Sequence, residues 1–97
     1  MSKRETIRAV KMPVLHVTRE FKKQFQKLPR RIRVLASEKQ KIFRENPFDT
    51  RLVMHKLHGG KPGMWAFRIN RAYRTKFIFL AGGEILFLEI GTHGIYK

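Results

Sequence analysis

Three strand-like runs near the end of the chain constrain its fold more than any other feature of the sequence. They span residues 64–69, 73–81 and 84–91, and each is rich in aromatic and aliphatic residues. Only short turns separate them, so consecutive runs are expected to pair as antiparallel strands. Between the second and third runs, Gly82-Gly83 is typical of a two-residue hairpin turn that requires positive φ angles. These residues therefore predict an antiparallel meander.

Two helical patterns precede the meander. Thr18 is placed to cap a first helix, and its apolar positions recur at helical spacing. The apolar stripe of that helix comprises Phe21, Phe25 and Leu28. Pro29 ends the first helix and suits the first turn of a second, which is expected to run to about Glu45 before Asn46-Pro47. The two stripes can pack together and cover one face of a sheet.

The remaining segments complete the predicted organisation. Residues 12–17 read as a short first strand, and residues 47–63 as a loop-rich connection with a short ordered piece around 51–57. The predicted fold is α+β, in the order β-α-α-β-β-β, with a small antiparallel sheet packed against two N-terminal helices. It occupies residues 13–97 as one domain. Residues 1–12 are an N-terminal extension, for which the sequence leaves open a short helix or a loose arm.

Charge and composition limit the class of function. The chain has 97 residues with 22 Lys and Arg against seven Asp and Glu, a formal net charge of +15. Such a surface attracts polyanions, above all nucleic acid. The absence of Cys excludes disulfides, thiolate catalysis and Cys-based zinc sites. No membrane segment or secretory signal is predicted, so a cytoplasmic location is expected.

The predicted strand register places two arginines next to each other. If residues 70–72 form a three-residue loop, Phe67 lies opposite Thr75 on the core side. Arg68 and Arg74 then become direct neighbours on the other face, where like charges repel. Either Glu89 on the last strand neutralises them or a bound phosphate does, and both can hold at once.

Several motifs in fixed order resemble one protein family. The motifs are Phe21-x3-Phe25-x2-Leu28-Pro29, Asn46-Pro47-Phe48-Asp49, Leu52, His55-Lys56-Leu57-x-Gly59, Trp65-x-Phe67-Arg68-Ile69, Tyr73-Arg74 and Gly91-Thr92-His93. Over residues 13–96 they resemble the RelE/ParE superfamily of bacterial and archaeal toxins, nearest to its YafQ and YoeB branches. The resemblance implies an antiparallel sheet with two N-terminal helices. It also implies cleavage of mRNA in the ribosomal A site and silencing by a cognate antitoxin.

The resemblance assigns roles to five residues in metal-free transfer of the phosphodiester to the 2′-hydroxyl. His55 matches the position of the base, and His93 that of the general acid. Arg74 matches the phosphate-binding arginine, and Arg68 a second cation on the preceding strand. Tyr96 lies where relatives carry an aromatic residue that stacks on a base or positions the phosphate. Two departures from the YafQ pattern are Arg68 and Arg71 in place of a His and an Asp, and a His93-to-Tyr96 gap that is one residue shorter.

A wider set of basic residues is assigned to RNA binding. It comprises Lys22, Lys23, Lys27, Arg30, Arg31, Arg33, His58, Arg71 and Lys76. For the helix residues, a merely solvated face is an equally open interpretation. A zinc site of His55, His58 and His93 is conceivable, but the missing carboxylate and the cationic surroundings argue against it. No metal or other cofactor is predicted.

Two other functions remain open. The superfamily contains ParE-like members that poison DNA gyrase, and the basic composition also fits a non-catalytic nucleic-acid-binding module. The two well-placed histidines favour RNA cleavage. The remaining histidine, His16, is expected to be structural.

Overall fold

The computed structural model describes residues 13–58 and 62–96 of the chain. The described elements are β1 (Leu15–Val17), α1 (Arg19–Gln26), α2 (Arg30–Glu45), β2 (His55–Lys56), β3 (Met64–Arg68), β4 (Arg74–Phe79) and β5 (Ile85–Gly91). Three short 3-10 turns lie between or after them, at Thr50–Leu52, Ala81–Gly83 and His93–Tyr96. The predicted extension over residues 1–12 lies outside the described residues. None of the helices within residues 13–58 and 62–96 has the length and hydrophobicity that a membrane span requires.

The helix boundaries follow from the residues that flank them. The Thr18 hydroxyl accepts a hydrogen bond from the Phe21 N–H at 2.9 Å and so caps α1. Pro29 lies at the N-cap of α2, and Asn46 ends that helix in an extended conformation. Arg33 joins the two helices, because its guanidinium donates to the carbonyl oxygens of Gln26 and Leu28. These carbonyls lie at the C-terminal end of α1, where helix carbonyls have no partner within the helix.

The sheet has five strands in the order β1-β5-β4-β3-β2. The predicted α+β fold class is confirmed, although the sheet is mixed: β1 runs parallel to β5, whereas the other pairs are antiparallel. A parallel pair needs a long connection, and here the two helices and three strands between β1 and β5 supply it. The two-residue strand β2 adds an edge beside β3. The alternation of side chains along a strand predicts which face is buried, but not whether the strand pairs parallel or antiparallel to its neighbour.

The β3–β4 hairpin has the predicted register. Phe67 lies opposite Thr75 and Arg68 opposite Arg74. The connecting loop contains no glycine, and the Asn70 side chain stabilises it through hydrogen bonds to the loop backbone. Its amide oxygen accepts from the N–H groups of Ala72 and Tyr73, at 2.9 and 2.8 Å. This loop determines which outward-facing side chains meet across the hairpin.

The turn between β4 and β5 is longer than the two residues predicted. Gly82 and Gly83 do adopt the predicted positive φ angles, 78° and 81°. The strands, however, end at Phe79 and resume at Ile85, and the Leu80 N–H donates to the Glu84 carbonyl oxygen at 2.7 Å. The glycines therefore lie within a five-residue connection, over residues 80–84.

The core lies between the two helices and one face of the sheet. Its centre is Phe43 of α2, which is fully buried. Its ring centroid lies 4.9, 5.0 and 5.5 Å from those of Phe67, Phe77 and Phe87. Truncation of such a side chain typically costs about 3–5 kcal/mol. The opposite face of the sheet carries Arg68 and Arg74 and is covered in part by the C-terminal turn His93–Tyr96.

Candidate active site

Two arginines lie side by side on the face of the sheet that points away from the helices. Arg68 at the end of β3 pairs with Arg74 at the start of β4. Arg68 is exposed, whereas Arg74 is only 8% exposed. Among residues 13–58 and 62–96, no carboxylate forms an ion pair with either guanidinium. The pair is therefore a cationic position that a phosphate would stabilise.

The Arg74 guanidinium is held by two contacts. One nitrogen donates to the Asn70 carbonyl oxygen at 3.3 Å, and another lies 3.2 Å from Nε2 of His93. A guanidinium can only donate, so the second contact requires a lone pair on Nε2. As a hydrogen bond it therefore requires the neutral imidazole of His93 with its hydrogen on Nδ1.

His93 belongs to the C-terminal turn His93–Tyr96, which folds back over the outer face of the sheet. The turn approaches β5 closely: a Cβ atom at Gly91 would lie only 3.0 Å from Ile95 Cγ2. Ile95 is 8% exposed and anchors the turn by its side chain. Glycine at position 91 therefore allows the turn to lie near Arg74.

His55 approaches Tyr96, and so the Arg74–His93 pair, from the β2 edge of the sheet. It lies in the edge strand β2, opposite Ala66 of β3. Its Nδ1 lies 3.2 Å from the Val53 carbonyl oxygen, which can only accept a hydrogen bond. Nδ1 therefore carries a hydrogen, and in the neutral imidazole Nε2 keeps a lone pair. That lone pair faces the hydroxyl of Tyr96, 3.4 Å away.

Tyr96 lies between the two histidines. Its ring centroid is 6.1 Å from that of His55 and 5.4 Å from that of His93. Partial burial raises the pKa of the Tyr96 phenol above its ordinary value of 10.0, and the guanidinium groups of Arg74 and Arg68 oppose part of that rise. At neutral pH the group is a hydroxyl that can donate to His55.

The structure thus brings the five predicted catalytic residues together from three parts of the chain. Contacts of 3.2 and 3.4 Å join Arg74 to His93 and Tyr96 to His55. Arg68 lies beside Arg74 across the hairpin. The cluster combines one imidazole whose Nε2 faces the Tyr96 hydroxyl, a second imidazole whose Nε2 faces Arg74, and a pair of fixed cations. These groups suit proton transfer at a phosphodiester.

Lys76 does not fit its predicted part in RNA binding. Its side chain is 7% exposed, and its ammonium group donates to the Ile95 carbonyl oxygen at 2.7 Å. It also forms an ion pair with Glu89 at 3.0 Å. The C-terminal turn covers Lys76, which strand alternation alone places on an open face. Glu89 therefore neutralises this lysine and not the arginine pair.

The other predicted RNA-binding residues divide into two groups. Seven are exposed: Lys22, Lys23, Lys27, Arg30, Arg31, His58 and Arg71. Arg33 instead binds the backbone at the end of α1, so the helix junction accounts for its side chain. His16 has the structural place expected of it, since its Nε2 lies 2.8 Å from a carboxylate oxygen of Glu84.

The alternative metal site finds no geometric support. Within residues 13–58 and 62–96, no three His, Asp or Glu side chains are grouped so that they could hold a metal ion. His58 in particular does not join His55 and His93. The two site histidines instead contact Tyr96, Arg74 and the backbone carbonyl of Val53.

Sequence reasoning missed two residues that orient the site. Val53 has a left-handed backbone with φ 47°, and its carbonyl binds His55. Nothing in the sequence signals that conformation, because a β-branched residue is the least expected there. Asn70 supports Arg74 through its carbonyl and shapes the hairpin loop through its side chain. An asparagine directly after a strand is a recognisable turn signal, so this residue could have been found.

Comparison with solved structures gives clear likenesses. A structure of the archaeal RelE–RelB complex from Pyrococcus horikoshii OT3 matches with 18% identity and a TM-score of 0.69, covering 87% of this chain and 98% of that one. A structure of the E. coli DinJ–YafQ toxin–antitoxin complex matches with 13% identity and a TM-score of 0.70, covering 88% and 97%. The YoeB/ParE toxin from Agrobacterium tumefaciens matches with 18% identity and a TM-score of 0.70, covering 82% and 98%.

These likenesses concern the fold. No family model matches the sequence, and comparison with curated proteins gives no match. At identities of 13–18%, the structural matches show that the chain has the fold of the RelE, YafQ and YoeB toxins. The predicted resemblance is confirmed at that level. The roles of the individual site residues remain predictions.

Proposed function

We propose that this protein is a type II toxin that cleaves mRNA on the ribosome as a metal-free endoribonuclease and so inhibits translation and growth. The observation that carries the proposal is the convergence of His55 and His93 on Tyr96 and Arg74, through contacts of 3.4 and 3.2 Å. A fold shared with RelE, YafQ and YoeB toxins supports it. The protein would act in the cytoplasm, where its substrate is.

The proposed reaction is an internal transfer at one RNA linkage. His55 Nε2 takes the proton of the 2′-hydroxyl while that oxygen forms a bond to phosphorus. The bond from phosphorus to the 5′ oxygen breaks, and His93 gives a proton to the leaving oxygen. Arg68 and Arg74 stabilise the charge on the pentacovalent phosphorus group. The products are a 2′,3′-cyclic phosphate and a 5′-hydroxyl end.

The Arg74–His93 contact couples substrate binding to the acid. In the free protein Arg74 occupies the Nε2 lone pair of His93. A phosphate is a better acceptor for a guanidinium than a neutral imidazole is. When the phosphate engages Arg74, His93 is released to take up a proton, and it then becomes an acid. Tyr96, as a hydroxyl, faces Nε2 of His55, so the 2′-hydroxyl must take its place at that nitrogen before His55 can accept the proton.

The proposed partners follow from charge. A formal net charge of +15 favours the backbone of mRNA and ribosomal RNA. A cognate acidic antitoxin would dock on the cationic face and cover His93 and Tyr96. The matched structures include RelE bound with RelB and YafQ bound with DinJ, which supports such a partner here.

Mapping RNA ends on programmed ribosomes tests the proposal. Purified protein is added to ribosomes that carry a defined mRNA, and new 5′ ends are sequenced. We expect cuts within the A-site codon that carry 5′-hydroxyl ends, no cuts in free mRNA, and no cuts with His93→Ala. The matched control is Lys41→Ala, an exposed residue of α2 that lies outside the site.

The same preparation separates the other functions. Inhibition of gyrase supercoiling without ribosomal cuts would indicate a gyrase poison. Retention of RNA on a filter without cleavage or growth arrest would indicate a non-catalytic binding module. Either result would contradict the nuclease proposal.

A further inference from the structure

One lysine of this basic chain is buried beneath the proposed site. Lys76 lies on β4, two residues after Arg74, and its side chain is 7% exposed. Burying an ammonium group is costly unless hydrogen bonds and an opposite charge compensate for it. Most Lys and Arg of the described chain remain at the surface. The burial of this one therefore calls for a specific role.

The partners of Lys76 link the helix layer to the C-terminal turn. Its ammonium group donates to the Ile95 carbonyl oxygen at 2.7 Å and pairs with Glu89 at 3.0 Å. The second carboxylate oxygen of Glu89 accepts from the Gln24 side-chain amide at 3.1 Å. The side-chain amide oxygen of Gln24 in turn accepts from the Ile90 N–H at 2.8 Å. A continuous chain of polar contacts thus runs from α1 through β5 and β4 to the turn.

Among the residues that the structure describes, the turn forms few other hydrogen bonds. The Ile95 N–H donates to the Thr92 carbonyl oxygen at 3.1 Å, which is a bond within the turn segment itself. The Lys76 bond is made to the carbonyl that lies directly before Tyr96 and two residues after His93. It is also the shortest hydrogen bond between the turn and the sheet among the described residues.

We propose that Lys76 is a positioning residue: by holding the Ile95 carbonyl it fixes the turn that presents His93 to Arg74 and Tyr96 to His55. It does not touch the substrate. The effect of this role on catalysis rests on the proposed function, but the position of the turn can be tested in a protein that does not cleave RNA. A displacement of catalytic groups by about 1 Å can cost about 100-fold in rate.

The test compares three variants in the full chain. Lys76→Met keeps the length of the side chain and removes its donors. Lys76→Met/Glu89→Gln does the same without leaving an unpaired carboxylate. Glu89→Gln removes the ion pair but leaves the Lys76 ammonium free to bind Ile95. Lys41→Met is the matched control, an exposed lysine of α2.

Each variant is measured in two ways. Cleavage on programmed ribosomes gives kcat and KM, and NMR gives the imidazole shifts of His93 and the ring shifts of Tyr96. Both Lys76 variants are expected to lose about 10- to 100-fold in kcat with little change in KM, and to shift the His93 and Tyr96 signals. Glu89→Gln and Lys41→Met are expected to retain the wild-type signals of both residues.

Each other outcome has a defined meaning. Unchanged His93 and Tyr96 signals in both Lys76 variants would overturn the proposal. So would an equal loss of affinity and rate with unchanged signals, because Lys76 would then act as a phosphate contact. Loss of the fold in both variants would also overturn it, by assigning Lys76 to global stability. If the wild type itself does not cleave, the proposed function fails, and the NMR signals alone decide the positioning role.

Discussion

The carbonyl oxygen of Val53 lies 3.2 Å from Nδ1 of His55, and this contact decides which imidazole nitrogen remains free to act as a base. The backbone of Val53 that presents this carbonyl has φ 47°, a left-handed conformation that a β-branched residue rarely adopts. Such outliers cost about 1–3 kcal/mol and cluster at functional sites. The chain therefore accepts local strain two residues before its candidate base.

A substitution at position 53 that relieves this strain should increase the free energy of unfolding. Val53→Asn should raise the free energy of unfolding by about 1 kcal/mol, because asparagine tolerates the left-handed region. In a domain of this size that corresponds to about 4–8 °C in melting temperature. The control is Val34→Asn, since Val34 is 53% exposed on the right-handed backbone of α2. Equal effects of the two substitutions would show that Val53 stores no strain.

The hydrogen-bond partners of His55 and His16 predict opposite tautomers for these two histidines. His55 should carry its hydrogen on Nδ1, which faces the Val53 carbonyl. His16 should carry it on Nε2, which faces the Glu84 carboxylate at 2.8 Å. Long-range nitrogen–proton NMR spectra at about pH 9, above the range in which histidines ordinarily titrate, distinguish the two forms. Hydrogen on Nε2 of His55 would remove its assignment as the base.

Tyr96 should titrate above the ordinary value for a phenol. Burial raises its pKa from 10.0, against the opposing effect of Arg74 and Arg68. The folded state then holds this proton more tightly than the unfolded chain does. The contribution of Tyr96 to stability is therefore present below about pH 10 and is lost as pH rises through the raised pKa.

Absorbance of tyrosinate measures that titration. The chain has two tyrosines, so the Tyr73→Phe variant reports Tyr96 alone. We expect a midpoint above 10 in the folded protein and one near 10 in denaturant. A folded midpoint at or below 10 would mean that the arginine pair outweighs burial.

Local patterns in the sequence predicted the parts of the fold that depend on neighbouring residues. The Thr18 cap and Pro29 mark the helix boundaries because capping is a short-range hydrogen-bonding requirement. The Arg68–Arg74 neighbours follow from side-chain alternation once the hairpin loop is assigned. Both depend only on residues close in the chain.

Contacts between distant residues were beyond such reasoning. Alternation places Lys76 on an open face, but a turn 19 residues later covers it and provides its partner, the Ile95 carbonyl. The parallel pairing of β1 with β5 likewise has no local signal, since a strand has the same period in either direction. His55 and Tyr96 are 41 residues apart, and only the resemblance to a family predicted that they belong to one site.

Substitution by lysine should reduce RNA cleavage more at Arg74 than at Arg68. Arg74 is 8% exposed and uses separate nitrogens to bind Asn70 and His93, an arrangement that an ammonium group cannot reproduce. Arg74→Lys should therefore lower kcat for RNA cleavage by about 100-fold or more. Arg68 is exposed, so Arg68→Lys keeps its charge near the phosphate and should lose less than about tenfold. Equal losses would indicate that charge alone matters at both positions.

Salt dependence should separate binding by the helices from chemistry at the site. Lys22, Lys23 and Lys27 are exposed along α1 and its end. If they neutralise phosphates, replacing all three with Gln should lower the slope of log affinity against log salt by about 2, because each neutralised phosphate of a single strand contributes about 0.7 to that slope. Cleavage at saturating ribosome concentration should stay within about threefold, since none of the three contacts the candidate site residues.

The control for that experiment is Lys39→Gln/Lys41→Gln, which removes charge from α2. A change in slope confined to the α1 variant would assign ribosomal RNA contacts to α1. Equal small changes in both variants would instead mean that these lysines are a solvated surface. Wild-type affinity that does not fall with salt would contradict backbone recognition altogether, because release of counterions from neutralised phosphates must appear as a negative slope.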